Sequence, residues 1–319
     1  MQIRNRPSRA YSQQPLKRHT YDNFTVYRNQ VTLHREVTAA DRSFKMKKPR
    51  LILILVLALA ITGHIAWSKH VSAETAAARQ AQLVASAEAQ RKGQVFDSQI
   101  NSLLAANPND LISVATASTD RGLQTYGSTS VFDGASTAKL LTAADFLHHV
   151  EQGTASLNQQ IDGHSADYWL KIMLVNSDDT AWSELNGFLT HPDLAAYAGS
   201  INFNDYDPST NTFTAGDTAL LLQKLYSGGL LNSADRSLFL RYLGEANYRQ
   251  YIVAAVPGSD EVYHKVGIDD DTLNDAAIIN NGQKYLVLVI FTDGQGSYDT
   301  ANRTAIIHSI TKDAIAAYL

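Results

Sequence analysis

A serine hydroxyl becomes a useful nucleophile only beside a base. This chain sets one beside an amine at Ser136-Thr137-Ala138-Lys139. Two further short signals follow in order, Ser177-Asp178-Asp179 and Lys265-Val266-Gly267. Together they offer what acyl transfer needs: a hydroxyl with an amine, a second hydroxyl, and a fixed cation. A lysine three residues after a serine lies one helical turn along, on the same face. Its amine can take the hydroxyl proton if burial or a neighbouring cation lowers its pKa. A serine at a helix start also brings its own backbone N–H to a reacting carbonyl, where the helix dipole favours developing negative charge. Ser177 would relay a proton to a leaving group, and Lys265 would hold positive potential over the site.

Each signal alone is weak. Roughly one Ser-x-x-Lys is expected by chance in a chain of this size. A second copy, Ser309-Ile310-Thr311-Lys312, lies too near the end for partner motifs to follow and reads as an exposed helix edge. In isolation Ser136 reads as a helix N-cap, and so does Ser177-Asp178-Asp179. Lys265-Val266-Gly267 alone reads as a strand end entering a turn. Their order changes the balance, because S-x-x-K, S-D-N and K-T-G are the signature of class A β-lactamases and penicillin-binding proteins. From about Phe96 to Leu319 the chain resembles this serine hydrolase superfamily. The resemblance implies an acyl-enzyme reaction carried by Ser136, Lys139, Ser177 and Lys265. It implies substrate contacts at Asp179, Val266 and Gly267, and a second oxyanion amide from Ile268. No metal and no cofactor are expected.

Three departures weigh on the activity. Asp179 stands where the family has Asn; an ionised Asp can only accept hydrogen bonds, and its charge favours the protonated Lys139. Val266 stands where the family has Thr, losing a hydroxyl that contacts the substrate carboxylate. Class A β-lactamases use a Glu after the second motif to activate the deacylating water, and no Glu lies between Glu184 and Glu245. Asp205 and Asp207 occupy that segment with shorter reach. The intervals between motifs, 41 and 88 residues, suggest a pared-down helical domain.

The elements that must position these groups are legible from pattern. Leu140, Ala143, Ala144 and Leu147 recur at helical spacing after Ser136. Short strands are expected at Leu111–Thr116, Gly122–Tyr126, Glu261–Lys265, Asp275–Asn280 and Tyr285–Thr292. Asn281-Gly282 between the last two is a type I′ hairpin signal. Helices are expected at Phe96–Ala106, Ala166–Val175, Thr180–Leu189 and Asp299–Tyr318, with Ile307, Ile310, Ala314 and Ala317 on one face of the last. Strands from both chain ends with helices between imply an α+β architecture, an antiparallel sheet covered by helices with a helical subdomain. The serine β-lactamase fold has this layout.

The net charge of -4 over 319 residues hides an asymmetry: residues 1–50 carry twelve Lys/Arg against three Asp/Glu, and the rest fifteen against twenty-eight. Residues 1–50 show no apolar periodicity and are expected to be a disordered basic cytoplasmic tail. The apolar run 51–67 follows directly, which argues for a membrane rather than nucleic acid as the reason for the basic charge. Basic residues before it place the N-terminus in the cytoplasm and the rest outside. Two readings stay open: an uncleaved single-pass anchor, or a signal peptide starting at Met46 and cleaved near Ala73. Residues 68–95, rich in Ala, Gln and Glu, are expected to form a helical stalk ended by Gly93, with the globular domain at 96–319. The absence of Cys excludes disulfides and a lipid-anchored thiol. No H-E-x-x-H, P-loop or G-x-G-x-x-G occurs.

Two functions follow as expectations. One is a membrane-associated extracytoplasmic serine hydrolase acting through an acyl-enzyme on a peptidoglycan-like peptide or related acyl substrate, with poor β-lactam turnover. The other is a catalytically impaired descendant that binds cell-wall fragments or a protein partner.

Overall fold

The computed structural model describes residues 48–297 and 300–319. The expected basic tail therefore lies outside the described residues, apart from its last three. The chain divides into two compact units, 1–69 and 70–319. In the first, the described residues are helical, and from Leu51 onward the helix is long and apolar enough to cross a membrane. They belong to α1 (Lys48–Ala106), which continues into the second unit.

Gly93 does not end this helix. A Cβ there would meet the Arg121 guanidinium at 2.7 Å, so the glycine admits a close side-chain approach rather than a turn. Past it, Phe96 and Ile100 are buried, and the pattern that suggested a separate short helix is the stretch of α1 that packs on the sheet.

The second unit is built on a five-stranded antiparallel sheet. Its chain order begins with β1 (Leu111–Ser118) and β2 (Gln124–Gly127). Three short pairing strands come next in the middle of the chain: β3 (Phe132–Asp133), β4 (Gln160–Ile161) and β5 (His164–Ser165), with β6 (Thr212–Phe213) pairing β3. The sheet resumes with β7 (Glu261–Asp269), β8 (Thr272–Asn280) and β9 (Tyr285–Asp293). The strand order is β2-β1-β9-β8-β7, so strands from both chain ends meet at β1 and β9. β8 and β9 are buried on both faces; β9 is accordingly a nearly unbroken apolar run, while β8 also buries Asn274 and Asp275.

Helices cover both faces. Phe96 and Ile100 of α1, with Ile307, Ile310 and Ala314 of α8 (Thr300–Tyr318), pack on one side against Val114, Val266, Leu288 and Ile290. On the other side lie α2 (Lys139–Glu151), α3 (Ala166–Val175), α4 (Asp179–Leu189), α5 (His191–Ser200), α6 (Ala215–Ser227) and α7 (Ser233–Gly244). Their core joins Phe146, Leu170, Leu185, Leu222 and Phe239 to Ile278 and Val289 of the sheet. Side-chain caps at helix starts include Ser165 on α3, Asp178 on α4 and Thr214 with Asp217 on α6, whereas Thr190 before α5 makes none. The fold is α+β, as expected.

The β8–β9 connection is looser than a type I′ turn. It runs over residues 281–284, with Gly282 alone of these in the left-handed region at φ 85. Asn281 uses its side chain instead, accepting from the amides of Gln283 at 3.0 Å and Lys284 at 2.8 Å.

Candidate active site

β7 is an edge strand, and the turn that carries Ser136 packs against it. That turn is a 3₁₀ helix, Ala135–Ala138, running directly into α2. Ser136 therefore sits one turn before the α-helix proper and caps nothing, so the N-cap reading fails. The turn is held from three directions. Asp133 Oδ1 accepts from the Ala135 amide at 2.8 Å, and Asn274 Nδ2 of β8 donates to the Asp133 carbonyl at 2.8 Å. Asn211 Nδ2 donates to the Ala135 carbonyl at 3.2 Å. Ala135 adopts φ 43, a conformation that costs a non-glycine residue and needs such support.

Gly267 explains how β7 comes so close. A Cβ at this position would lie 2.8 Å from the Gly134 carbonyl oxygen, 3.0 Å from Thr137 N and 3.1 Å from Ser136 N. Only a glycine lets strand and turn backbones meet, and the contact puts the Gly267 backbone beside the Ser136 amide.

Lys139 opens α2 with its side chain fully buried. Its Nζ donates to Ser136 Oγ at 2.7 Å, to the Ser177 carbonyl at 3.0 Å and to Asp179 Oδ1 at 2.5 Å. Burial lowers its pKa, against the opposing hydrogen bond and charge of Asp179 and the charge of Asp178. Lys265 Nζ donates to Ser177 Oγ at 2.7 Å and to the Val266 carbonyl at 3.0 Å. Burial and then the charge of Lys139 bring its pKa down to about 7, with Asp275 and Asp179 pulling the other way. Neither Lys265 contact is a carboxylate.

Ser177 links the two lysines through different atoms, its carbonyl to one and its hydroxyl to the other. The residue stands at φ 61, between α3 and α4, and this left-handed turn separates the two groups. Asp178 next to it caps α4, accepting from the Ala181 amide at 2.8 Å. The tripeptide is thus both a cap and a part of the cluster, with the two tasks on different residues.

The structure brings together Ser136, Lys139, Ser177, Asp179, Lys265 and the backbone at Gly267. Ile268 follows with a partly exposed side chain. Val266 differs: its side chain packs in the core beneath the sheet, so at this cluster it offers its backbone carbonyl. Asp205 and Asp207 are both exposed, and Asp207 is engaged in its own loop, accepting from Ser209 N at 2.8 Å and Ser209 Oγ at 2.6 Å. Ser309 and Lys312 lie exposed on α8, as a helix edge should. Among the described residues no cluster of His, Cys, Asp or Glu could hold a metal.

Sequence reading missed the support beneath Lys139. The ammonium stands over the Trp182 ring at 5.4 Å, and Trp182 Nε1 donates to Thr142 Oγ1 at 2.9 Å. Thr142 in turn donates to Asn186 at 2.9 Å. The spacing was available: Thr142 is three residues after Lys139 and Trp182 three after Asp179, each on one helix face. It also missed the acidic side of the site. Burial raises the Asp133 pKa, with Asp269 and Asp270 adding to it, against the hydrogen bond from Ala135.

Comparison with curated proteins gives no significant match. Solved structures do match. An ancestral Gram-negative class A beta-lactamase is 23% identical with a TM-score of 0.65, covering 70% of this chain and 100% of its own. PBP-A is 19% identical with a TM-score of 0.64, covering 68% of this chain and 93% of its own. A PBP-A mutant determined as an acyl-enzyme complex with penicillin G matches over 69% of this chain and 94% of its own, at 19% identity and a TM-score of 0.64. The model of the beta-lactamase enzyme family matches residues 95–318, the span that holds the sheet, the helical layer and the whole Ser136 cluster. The chain belongs to that family and carries its class A serine β-lactamase-like fold.

Proposed function

We propose that this chain is a membrane-associated serine hydrolase that works outside the cytoplasm through an acyl-enzyme at Ser136. The observation that carries the reading is the hydrogen-bonded run from Asp179 through Lys139 to Ser136 Oγ. In this mechanism neutral Lys139 takes the Ser136 proton while Oγ bonds to the substrate's acyl carbon. The backbone N–H groups of Ser136 and Ile268 receive the oxyanion. Ser177 gives its proton to the leaving group as the scissile bond breaks, and Lys265 holds the Ser177 hydroxyl in place. Water then cleaves the ester and restores Ser136. Substrates are peptidoglycan-like peptides or related acyl compounds, since an extended peptide can pair along the free edge of β7. The apolar helix from Leu51 supports membrane attachment, with the preceding lysines on the cytoplasmic side.

The test is covalent labelling of the full chain with a fluorescent penicillin and with a fluorophosphonate, the adduct being mapped by mass spectrometry. An adduct on Ser136 that is lost in Ser136→Ala and kept in Ser309→Ala is the expected result. An adduct elsewhere overturns the assignment. One observation favours a second reading, a domain that binds cell-wall fragments without turning them over. All three Lys139 donors have acceptors, which suits an ammonium better than a base. Binding of such fragments with no adduct from either reagent would select it.

A further inference from the structure

The exposed charges nearest the Ser136 cluster are carboxylates, while its second cation, Lys265, is buried on Ser177 Oγ. Asp179 is 84% exposed in its side chain, although one of its oxygens holds the fully buried Lys139. Its second oxygen takes no hydrogen bond from any described residue and is open to a bound substrate. Lys139 is the cation nearest the nucleophile, and that carboxylate already balances its charge. On the opposite side the Gly267 backbone touches the Ser136 turn, and the strand leaves this contact through Ile268 into exposed Asp269 and Asp270. Asp133, three residues before the nucleophile, lies near enough to both for their charges to raise its pKa. One exposed carboxylate therefore lies on the amine beside Ser136 and two more follow the strand that touches its turn, and none of them can donate a hydrogen bond when ionised.

Resting on the serine hydrolase reading above, we propose that Asp179 is a specificity-determining residue that selects acyl donors bearing an ammonium group close to the scissile carbonyl. An ammonium presents donors and positive charge to the open Asp179 oxygen, whereas a carboxylate or carbonyl acceptor at that place meets an acceptor of like sign. The substrate class is a cationic acyl compound, such as an aminoacyl ester or a peptide with a free amine beside the bond to be cut. Val266 fits the same account. Valine has no hydroxyl to offer a substrate carboxylate, and its side chain packs in the core.

The experiment compares three thioesters of nearly equal length, β-alanyl, butyryl and succinyl, on the full chain in detergent. Each reaction moves the acyl carbon from sulfur to Ser136 Oγ, and the thiol leaves with the serine proton. Acylation rates are read by mass spectrometry after subtraction of uncatalysed hydrolysis. Rates should fall from β-alanyl to butyryl to succinyl, with the first and last roughly tenfold or more apart, the size expected for one charge pair near a surface. Because Asp179 is exposed, raising the salt should shrink that ratio in the unmodified protein. Asp179→Asn should bring it close to one. The ratio is insensitive to any change in Lys139 basicity, which acts on all three probes alike. Equal rates, or a preference for succinyl, overturn the proposal. If no thioester reacts, the acyl-enzyme reading fails, and calorimetry of β-alaninamide against succinamate decides specificity separately. Tighter binding of the cation, lost in Asp179→Asn, upholds it; no difference between the two overturns it.

Discussion

Asp179 Oδ1 and Lys139 Nζ, forty residues apart in sequence, lie 2.5 Å from each other, and the same Nζ lies 2.7 Å from Ser136 Oγ. In the proposed mechanism the carboxylate therefore acts on the nucleophile through its base. Ionised Asp179 stabilises the ammonium and opposes the burial that would free the amine.

Asp179→Asn should accordingly shift the pH–rate profile for acylation by a neutral probe. The reactive form is the free amine, so the rate rises with pH through the Lys139 pKa. Removing an anion lowers that pKa and moves the rising limb to lower pH. At pH 7 the rate with butyryl thioester should increase roughly three- to tenfold, since one pKa unit corresponds to tenfold. A limb that stays in place means that another group is the base.

Gly267→Ala should damage the site without touching a polar side chain. The added methyl would press on backbone atoms of Gly134, Ser136 and Thr137, none of which can rotate away. A loss of about 1–3 kcal/mol in stability is expected from such overpacking, together with at least a tenfold slower acylation. Gly258, where a Cβ has nothing within 4 Å, provides the control, and Gly258→Ala should leave both quantities unchanged.

Asp145 should govern stability between pH 4 and pH 8. It is buried on α2, its Oδ2 takes no hydrogen bond, and burial with the charge of Asp193 pushes its pKa up to about 7. The folded protein then keeps this proton from pH 4 to 7 while the unfolded chain loses it. Stability falls across that window as pH rises, and the penalty is complete above pH 7. Asp145→Asn should flatten this slope and stabilise the protein at pH 8 by about 2 kcal/mol or more. Urea titrations at pH 5 and pH 8 check it. An unchanged slope would show that the charge is accommodated elsewhere.

β-Lactam turnover should be poor even where Ser136 is acylated. Deacylation needs a base on the attacking water, worth typically ~10²–10⁴-fold. No Glu lies between Glu184 and Glu245, and Ser209 occupies the Asp207 carboxylate. A penicillin also brings a carboxylate to a site whose exposed charges include Asp179, Asp269 and Asp270. Either a long-lived adduct or no reaction is expected. Steady-state hydrolysis of a chromogenic cephalosporin at roughly 10 per second or more would falsify this and direct attention to Asp205.

Local elements were legible because their signals are local. The Ala166–Val175 helix follows from apolar spacing, and β9 from an apolar run too short for a helix and rich in β-branched residues. Where a local signal had two meanings, packing chose. Gly93 reads as a helix stop, yet it makes room for Arg121 within α1. Asn281-Gly282 reads as a tight turn, yet the Asn281 side chain holds a longer loop. Val266 reads as a substrate contact from its motif position, yet strand alternation turns it into the lower core.

By itself the sequence determined which reactive groups exist, their order, and the apolar run from Leu51, all of which are properties of residue type and spacing. It also decided that Ser136 and Lys139 meet, because one helical turn separates them. The tertiary structure alone decided that Lys139 meets Asp179 forty residues on, and that Lys265 meets Ser177 across eighty-eight. Those distances depend on how β7, the Ser136 turn and the Ser177 turn pack together, and no local pattern encodes them. The charge state of the site depends on the same packing. Coulomb energy varies with separation and local dielectric, and burial sets the cost of each ammonium, so two lysines alike in sequence become chemically different in the fold.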